Sequence, residues 1–124
     1  MVKVLLVDND AISRKQYILG LQTAGYDAVA ASSAQAALDA LDEIKPDVMV
    51  LDIALPVHNG ITVVYEMMSY PDWSQIPVII LSAIPRSDFT VSDELWKQLN
   101  IVRYCHKPET RPSRLANVIS EVME

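Results

Sequence analysis

The feature that most constrains the fold is an alternation, along the whole chain, of short apolar runs with segments of helical spacing. Five runs have the composition of strands, at 3–7, 26–31, 47–51, 77–81 and 101–106. The clearer runs are apolar throughout, which is typical of parallel strands covered by helices on both faces. The pattern therefore predicts an α/β fold, a single doubly wound domain with a five-stranded parallel sheet and helices on both faces.

The segments between the runs carry signals for helix ends. Asp10 is a suitable N-cap for a first helix, and Gly25 is a typical C-terminal glycine for it. Ser32, followed three residues later by Gln35, fits a capping box for a second helix. Pro71 is expected to stop a third helix. The apolar stripe of the first helix is predicted to contain Ile12, Tyr17, Leu19, Leu21 and Ala24.

Length and composition limit the kind of protein. The 124 residues fit one domain, over residues 1–124. The formal net charge of −6 argues against nucleic acid or an anionic membrane as a direct partner, and it permits a cationic partner or a metal ion. The single cysteine, Cys105, excludes an internal disulfide and is expected to be a small buried residue. Because no apolar run could span a bilayer and no signal peptide is evident, we expect a cytoplasmic location.

Polar side chains collect where the predicted strands end. Ligands bind at the carboxyl ends of the strands in an open parallel sheet, so the residues that directly follow each run are the candidates for a site. Acids, an amide, a hydroxyl and an ammonium group all fall at this edge. These residues are Asp8, Asn9 and Asp10 after the first run, Asp52 after the third, Ser82 after the fourth and Lys107 after the fifth.

This set of groups favours phosphoryl chemistry with a metal ion. Carboxylate and amide oxygens are hard ligands suited to Mg²⁺. A carboxylate can accept a phosphoryl group as an acyl phosphate, and a metal ion can neutralise charge on that group. A lysine and a hydroxyl can hold the remaining phosphoryl oxygens. A glycine-rich phosphate loop is absent, since the chain has only Gly20, Gly25 and Gly60. Reversible phosphorylation of an aspartate therefore fits better than hydrolysis of a large substrate.

Four stretches, in this order, carry a resemblance to a known family: "LLVDND", "MVLDIALPVHNG", "IPVIILSA" and "YCHKP". Over its whole length the chain resembles the receiver domain of bacterial two-component response regulators. The resemblance implies a flavodoxin-like topology for the predicted sheet. It also implies a sensor histidine kinase or a phosphotransfer protein as phosphodonor and a downstream protein as target. An enzyme acting on an external substrate is not expected, although a receiver catalyses its own phosphorylation and dephosphorylation.

The resemblance implies a role for each residue around the phosphorylation site. Asp52 matches the phosphoacceptor, which attacks a phosphohistidine of the partner. Asp8 and Asn9 match the acidic pair that binds Mg²⁺, Asp8 through water and Asn9 directly. Ala54 matches the position whose backbone carbonyl binds the ion. The implied metal ligands are therefore Asp8, Asn9, Asp52 and Ala54.

Three further positions match residues that respond to phosphorylation. Ser82 matches the hydroxyl that hydrogen-bonds the phosphoryl group, and Lys107 matches the lysine that pairs with it. Tyr104 matches an aromatic switch that turns inward after phosphorylation. Asn59 lies where the family often has Asp or Asn in the turn before Gly60.

The sequence also departs from the family pattern. Asn9 stands where an acid is usual, so we expect weaker Mg²⁺ binding. The stretch between Ser82 and Lys107 is longer than usual, and Glu109 stands where an apolar residue is common. Asn9 motivates one alternative, a degenerate receiver that acts as a phosphorylation-independent interaction module. An Asp-nucleophile phosphohydrolase is a second, disfavoured because Ala54 offers no side-chain acid, and a flavin-binding protein is a third.

Overall fold

The computed structural model describes residues 1–55, 60–89 and 92–124. Within these ranges five strands form one sheet, and every neighbouring pair is parallel. The strands are β1 (Lys3–Val7), β2 (Asp27–Ala31), β3 (Val48–Leu51), β4 (Val78–Ser82) and β5 (Ile101–His106), and their order in the sheet is β2-β1-β3-β4-β5. The predicted α/β class and five-stranded parallel sheet are confirmed.

Six α-helices connect or flank these strands within the described ranges: α1 (Ala11–Thr23), α2 (Ala34–Ile44), α3 (Ile61–Met68), α4 (Pro71–Ser74), α5 (Asp93–Gln98) and α6 (Pro112–Met123). Two short 3-10 turns lie at Arg86–Asp88 and Lys107–Glu109. No helix in the described part of the chain is long and apolar enough to cross a membrane.

The sheet separates two hydrophobic clusters, one on each face. Leu5 and Val7 of β1 pack with residues of α2, α3 and α5, whereas Val4 and Leu6 pack with residues of α1 and α6. Successive side chains of a strand point to opposite faces, so a strand covered on both faces must be apolar throughout. This arrangement explains why the first run is continuous, and Cys105 is buried in the second cluster as predicted.

The register of the strands sets the place of the polar residues. Val7 of β1 is level with Leu51 of β3, so the next residues, Asp8 and Asp52, emerge side by side at the carboxyl edge. Their backbones still follow the sheet, because Asp8 N donates to Ala31 O at 3.0 Å and Asp52 N donates to Val7 O at 2.9 Å. Both aspartates are therefore fixed by the regular ladder and not by a loop of their own.

The ends of α1 agree with their sequence signals. The side chain of Asp10 accepts hydrogen bonds from the backbone N–H groups of Ile12 and Ser13, at 3.0 and 3.1 Å, as an N-cap does. Gly25 has a φ of +95°, a conformation that a glycine adopts with little cost, just after the last turn.

Two expectations for the helices were wrong. The cap of α2 is Ser33 and not Ser32, since the Ser33 hydroxyl accepts from Ala36 N at 3.1 Å. The expectation that α3 ends before Pro71 is confirmed, since α3 ends at Met68. Pro71 also begins the short helix α4, which fits the preference of proline for a first turn.

Ile12 and Leu19 do not belong to the buried stripe of α1. They are 72% and 66% exposed, whereas Tyr17 and Leu21 are buried. At about 100° per residue, Leu19 lies roughly 200° around the helix from Tyr17 and from Leu21, so all three cannot face one core. The buried stripe is narrower than the apolar content of the segment indicates.

Candidate functional site

Asp8, Asp52 and Lys107 meet at the carboxyl edge of the sheet. The Lys107 ammonium lies 2.9 Å from Asp8 Oδ2 and 3.3 Å from Asp52 Oδ2. Asp8 is 1% exposed and Asp52 is 7% exposed, so both carboxyl groups are largely withdrawn from water. Two carboxylates share one ammonium group here, which leaves the site with an excess of negative charge that a cation would relieve.

The charge on Lys107 is stabilised by these two partners. Partial burial of the side chain opposes the charged form, but the hydrogen bond to Asp8 and the negative charges of Asp8 and Asp52 outweigh it. The pKa of Lys107 is therefore raised above that of a free lysine. The lysine remains a fixed positive charge beside the Asp52 carboxylate throughout the physiological range of pH.

The first turn of α1 holds Asp8 from several sides. Asp8 Oδ1 accepts from Asp10 N at 2.9 Å, and Asp8 Oδ2 accepts from the Ser13 hydroxyl at 2.7 Å. Arg14 Nη1 donates to the Asp8 carbonyl at 2.9 Å. Ser13 and Arg14 were missed by sequence reasoning. The sequence feature that could have indicated them is a hydroxyl and a cation in the first turn of α1, which begins three residues after Asp8.

The remaining metal ligands implied by the sequence lie at the same edge. Asn9 is exposed next to the buried Asp8, and Ala54 is exposed after Asp52. The Ala54 N–H donates to Asp52 Oδ1 at 2.9 Å, so both oxygens of the Asp52 carboxyl group have a donor. Across the described residues, no three His, Cys, Asp or Glu side chains form a cluster that could hold a metal ion. A cation at this edge would therefore need neutral oxygens in addition to two carboxylates.

The chain returns to Asp52 at Gly60. The Gly60 N–H donates to the carbonyl of Ile53 at 2.8 Å. A Cβ at Gly60 would lie 2.5 Å from the Asp52 carbonyl oxygen and 2.8 Å from Ile53 Cα, closer than any side chain tolerates. Glycine is required here for close approach of two backbones. Asn59 and Pro56, which the sequence places in this loop, lie outside the described residues.

Ser82 and Tyr104 meet at the segment that follows β4. Ser82 is fully buried, and its hydroxyl accepts from Ile84 N at 3.1 Å. The Tyr104 hydroxyl donates to the carbonyl of Ile84, so the ring of this half-buried tyrosine reaches toward the segment that carries Ser82. Burial raises the pKa of Tyr104, although the Ser82 hydroxyl and the charge of Arg86 act in the opposite direction.

The surroundings of Tyr104 are aromatic. Its ring centroid lies 6.0 Å from that of Phe89 and 6.0 Å from that of Trp96. The Arg86 guanidinium lies 4.4 Å from the Trp96 ring centroid, a distance at which cation–π attraction is significant. Among the described residues between Ser82 and Lys107, Phe89, Trp96 and Tyr104 thus form an aromatic cluster beside the site.

His106 links three elements at the same edge. Its Nδ1 lies 2.9 Å from Glu109 Oε1, and its Nε2 lies 3.1 Å from the carbonyl oxygen of Ala83. The hydrogen bond with Glu109 is the main reason why the pKa of His106 is raised. Glu109, which departs from the usual apolar residue, thus has a partner in the structure that sequence reasoning did not assign.

The comparisons with known proteins agree with this geometry. The model of the response regulator receiver domain matches residues 4–120. The chain belongs to this family. It is therefore a receiver domain of the two-component type, and the resemblance read from the four sequence stretches is confirmed.

Curated relatives are longer proteins that the receiver matches in part. The chain is 38% identical over 82 residues to a probable transcriptional regulator, ycf27, of Guillardia theta, covering 66% of this chain and 31% of that protein. It is 36% identical over 83 residues to the transcriptional regulatory protein KdpE of Mycobacterium tuberculosis, covering 67% and 35%. A protein-glutamate methylesterase/protein-glutamine glutaminase of Rhodospirillum rubrum is 31% identical over 110 residues, covering 88% and 29%. The chain thus spans about a third of the length of these relatives.

Solved structures share the whole fold. The chemotaxis protein CheY4 of Vibrio cholerae superposes with a TM-score of 0.83 at 26% identity, covering 98% of each chain. A sensor protein from Polaromonas sp. JS666 superposes with a TM-score of 0.86 at 18% identity, covering 97% of this chain and 94% of that one, and it bears on the fold alone. The flavodoxin-like topology implied by the resemblance is confirmed.

Proposed function

We propose that this receiver is phosphorylated on Asp52 and that Mg²⁺ takes part. The phosphodonor is a phosphohistidine of a sensor histidine kinase or of a phosphotransfer protein. The observation that carries the proposal is the position of Asp52 Oδ2, 3.3 Å from the Lys107 ammonium and beside the buried Asp8. This geometry combines a carboxylate nucleophile with a fixed positive charge at the point where phosphoryl oxygens would arrive.

The chemistry requires an oriented Asp52 carboxylate. One oxygen accepts from the Ala54 N–H and the other from Lys107, so the group has a defined orientation before the donor arrives. An Asp52 oxygen attacks phosphorus, the bond between phosphorus and the donor imidazole nitrogen breaks, and the imidazole leaves with that electron pair. The product is an acyl phosphate on Asp52.

The donor set fits a hard divalent cation. Two carboxylates, an amide and a backbone carbonyl are oxygen ligands, from Asp8, Asp52, Asn9 and Ala54, and they match the preference of Mg²⁺ for oxygen with several waters retained. The excess negative charge around Lys107 supports the same assignment. A bound ion would supply positive charge to the transferring phosphoryl group.

The switch follows from the new charge. Lys107 can pair with a phosphoryl oxygen, and the buried Ser82 hydroxyl can donate to another. A turn of the Ser82 hydroxyl toward the phosphoryl group would alter its contact with Ile84 N, and the Tyr104 hydroxyl contacts the carbonyl of the same Ile84. The phosphoryl group thereby favours one of two arrangements of the surface around β5, which a downstream protein reads.

A direct test uses a small-molecule phosphodonor such as acetyl phosphate with Mg²⁺. We expect the intact mass to increase by one phosphoryl group, with loss of the increase in the variant Asp52→Asn. Peptide mapping after borohydride trapping should place the modification on Asp52. If Asp52 remains unmodified at saturating Mg²⁺ and donor, the chain is a phosphorylation-independent interaction module instead.

Charge and cysteine content bear on the partners and the location. The net charge of −6 disfavours direct contact with nucleic acid or anionic membranes. We propose a cytoplasmic setting because a single cysteine fits a reducing compartment. The relatives that are transcriptional regulators extend well beyond the matched region, so their names describe longer proteins. Ala54, next but one to Asp52, provides no side-chain acid, which disfavours hydrolysis of an external phosphomonoester by this domain.

A further inference from the structure

Two residues of β5 hold consecutive carbonyl groups of the segment that carries Ser82. The Tyr104 hydroxyl donates to the Ile84 carbonyl, and His106 Nε2 lies 3.1 Å from the Ala83 carbonyl oxygen. Tyr104 has a role implied by the family, but His106 has none. The second contact places an ionisable ring directly against the residue that follows Ser82.

Both partners of the His106 ring are hydrogen-bond acceptors. Nε2 faces the Ala83 carbonyl, and Nδ1 faces the Glu109 carboxylate at 2.9 Å. A neutral imidazole carries a single N–H and can donate to one of them, whereas the imidazolium ion donates to both. The full arrangement therefore requires a protonated His106, and the neighbouring Glu109 carboxylate favours that form.

The two contacts of the His106 ring join the loops that flank the proposed phosphorylation site. Ala83 follows Ser82 at the end of β4, and Glu109 lies in the 3-10 turn that begins with Lys107. Ser82 and Lys107 must approach the same phosphoryl group, so a link between their loops reduces the cost of bringing them together.

We propose that His106 is a positioning residue for Ser82, and that its imidazolium ion, by linking Ala83 to Glu109, makes capture of a phosphoryl-like anion at Asp52 depend on protonation of His106. This inference rests on the proposed function of Asp52. It assigns a regulatory consequence to Glu109, namely a response that weakens as pH rises through the titration of His106.

The charged and titratable groups near His106 differ in what they contact. Glu109 faces the ring from the 3-10 turn, while Lys107 is directed to Asp8 and Asp52. On β5, Arg103 lies 3.7 Å from Glu121, and the Tyr104 hydroxyl is bonded to the loop. In the segment after β4, Arg86 lies over Trp96. Glu109 is thus the charged group in contact with the ring among the described residues.

The test measures the affinity for beryllofluoride with Mg²⁺ as a function of pH, from tryptophan fluorescence. Beryllofluoride stands in for the phosphoryl group on Asp52. The reference is His106→Gln, whose amide can donate to Ala83 but does not titrate. We expect the affinity of the wild type, relative to this variant, to fall roughly five-fold as pH rises through the titration of His106, since one hydrogen bond is lost.

A second variant distinguishes positioning of Ser82 from a direct effect of the Glu109 charge on anion affinity. Glu109→Gln removes a negative charge near the site, so an electrostatic field alone would tighten anion binding at every pH. Positioning predicts weaker anion binding in the pH range where His106 of the wild type is still protonated, because His106 without its carboxylate partner loses its proton more readily. The NMR titration of the His106 ring should shift to lower pH in this variant.

The outcomes are distinct. The inference is overturned, and the proposed function left standing, by either of two results. One is a ratio of wild-type to His106→Gln affinity that does not change with pH. The other is tighter binding in Glu109→Gln at a pH where wild-type His106 is protonated. Failure of the wild type to bind beryllofluoride at any pH overturns both. The inference is supported if the ratio of wild-type to His106→Gln affinity falls with rising pH. Glu109→Gln must also bind beryllofluoride more weakly, and its His106 ring must titrate at lower pH.

Discussion

The Ser13 hydroxyl donates to Asp8 Oδ2 at 2.7 Å, and the same oxygen accepts from the Lys107 ammonium at 2.9 Å. A buried carboxylate oxygen thus has two donors. Each donor lowers the electron density that the oxygen can offer to a cation or to its bound water. We therefore expect Ser13 to stabilise Asp8 and to compete with the proposed metal ion for it.

The substitution Ser13→Ala tests this competition. We expect a loss of about 1–2 kcal/mol in the free energy of unfolding without metal, because a hydrogen bond to a charged group is removed. Mg²⁺ affinity should rise a few-fold, since the metal-bound state loses less than the metal-free state. Urea unfolding with and without Mg²⁺ measures both effects, and Ser13→Thr, which keeps the hydroxyl, is the control. An unchanged or weaker affinity in Ser13→Ala contradicts this account.

A second prediction concerns the charge of the proposed metal site. Asn9→Asp restores a carboxylate at the exposed position beside Asp8, and we expect Mg²⁺ affinity to rise roughly ten-fold or more. Fluorescence or calorimetric titration with Mg²⁺ provides the measurement. The matched control is Asp10→Asn, which removes a charge one residue away but retains a good helix cap, and it should change affinity little. If Asn9→Asp leaves the affinity unchanged, Asn9 is not a ligand.

Lys107 provides a third prediction, on stability. Lys107→Met keeps much of the apolar stem but removes the ammonium group between two buried carboxylates, so we expect a loss of about 2–4 kcal/mol without metal. Mg²⁺ should recover part of this loss, because the cation replaces the missing positive charge. Lys15→Met, at an exposed position of α1, should have little effect on either measurement. A loss that Mg²⁺ does not reduce would contradict the electrostatic explanation.

The sheet and its polar edge could be predicted because their causes are local in sequence. Apolar runs indicate strands buried on both faces, and the residue after each run must emerge at the carboxyl edge, as Asp8 and Asp52 do. The buried face of α1 was harder to predict from the sequence. Ile12 and Leu19 are apolar but exposed, since tertiary packing selects one narrow stripe from a segment that offers two.

The side-chain contacts that hold Asp8 and the residue after Ser82 could not be predicted from residue type alone. Ser13 is a polar helical residue like many others, and its role depends on the rotamer that reaches Asp8 Oδ2. The contact between His106 and Ala83 joins residues 23 positions apart, which requires the register of β4 against β5. Glu109 lies three residues after His106, and that spacing in a turn was a signal that could have been read.

A fourth prediction concerns the return of the chain to Asp52. Gly60→Ala places a methyl group against the Asp52 carbonyl, and we expect a loss of about 2 kcal/mol or more in the free energy of unfolding together with slower phosphorylation. Gly25→Ala is the control, since its Cβ would meet open space and strain arises from the φ of +95° alone. That variant should lose about 1 kcal/mol and keep its phosphorylation rate. Equal rates in the two variants would show that Gly60 does not position Asp52.

The last prediction is the dependence of stability on pH. Hydrogen bonding to Glu109 raises the pKa of His106 in the folded protein, so the folded state binds this proton more tightly than the unfolded chain does. The stabilisation is fully present below the unfolded value, about 6.5, and is lost as pH rises through the higher folded value. Comparing urea unfolding of the wild type and of His106→Gln across this window isolates the contribution. The difference between them should shrink with rising pH, and it should nearly vanish in the Glu109→Gln background. A difference that grows with pH would mean that folding lowers the pKa of His106, which is incompatible with a link between the ring and Glu109.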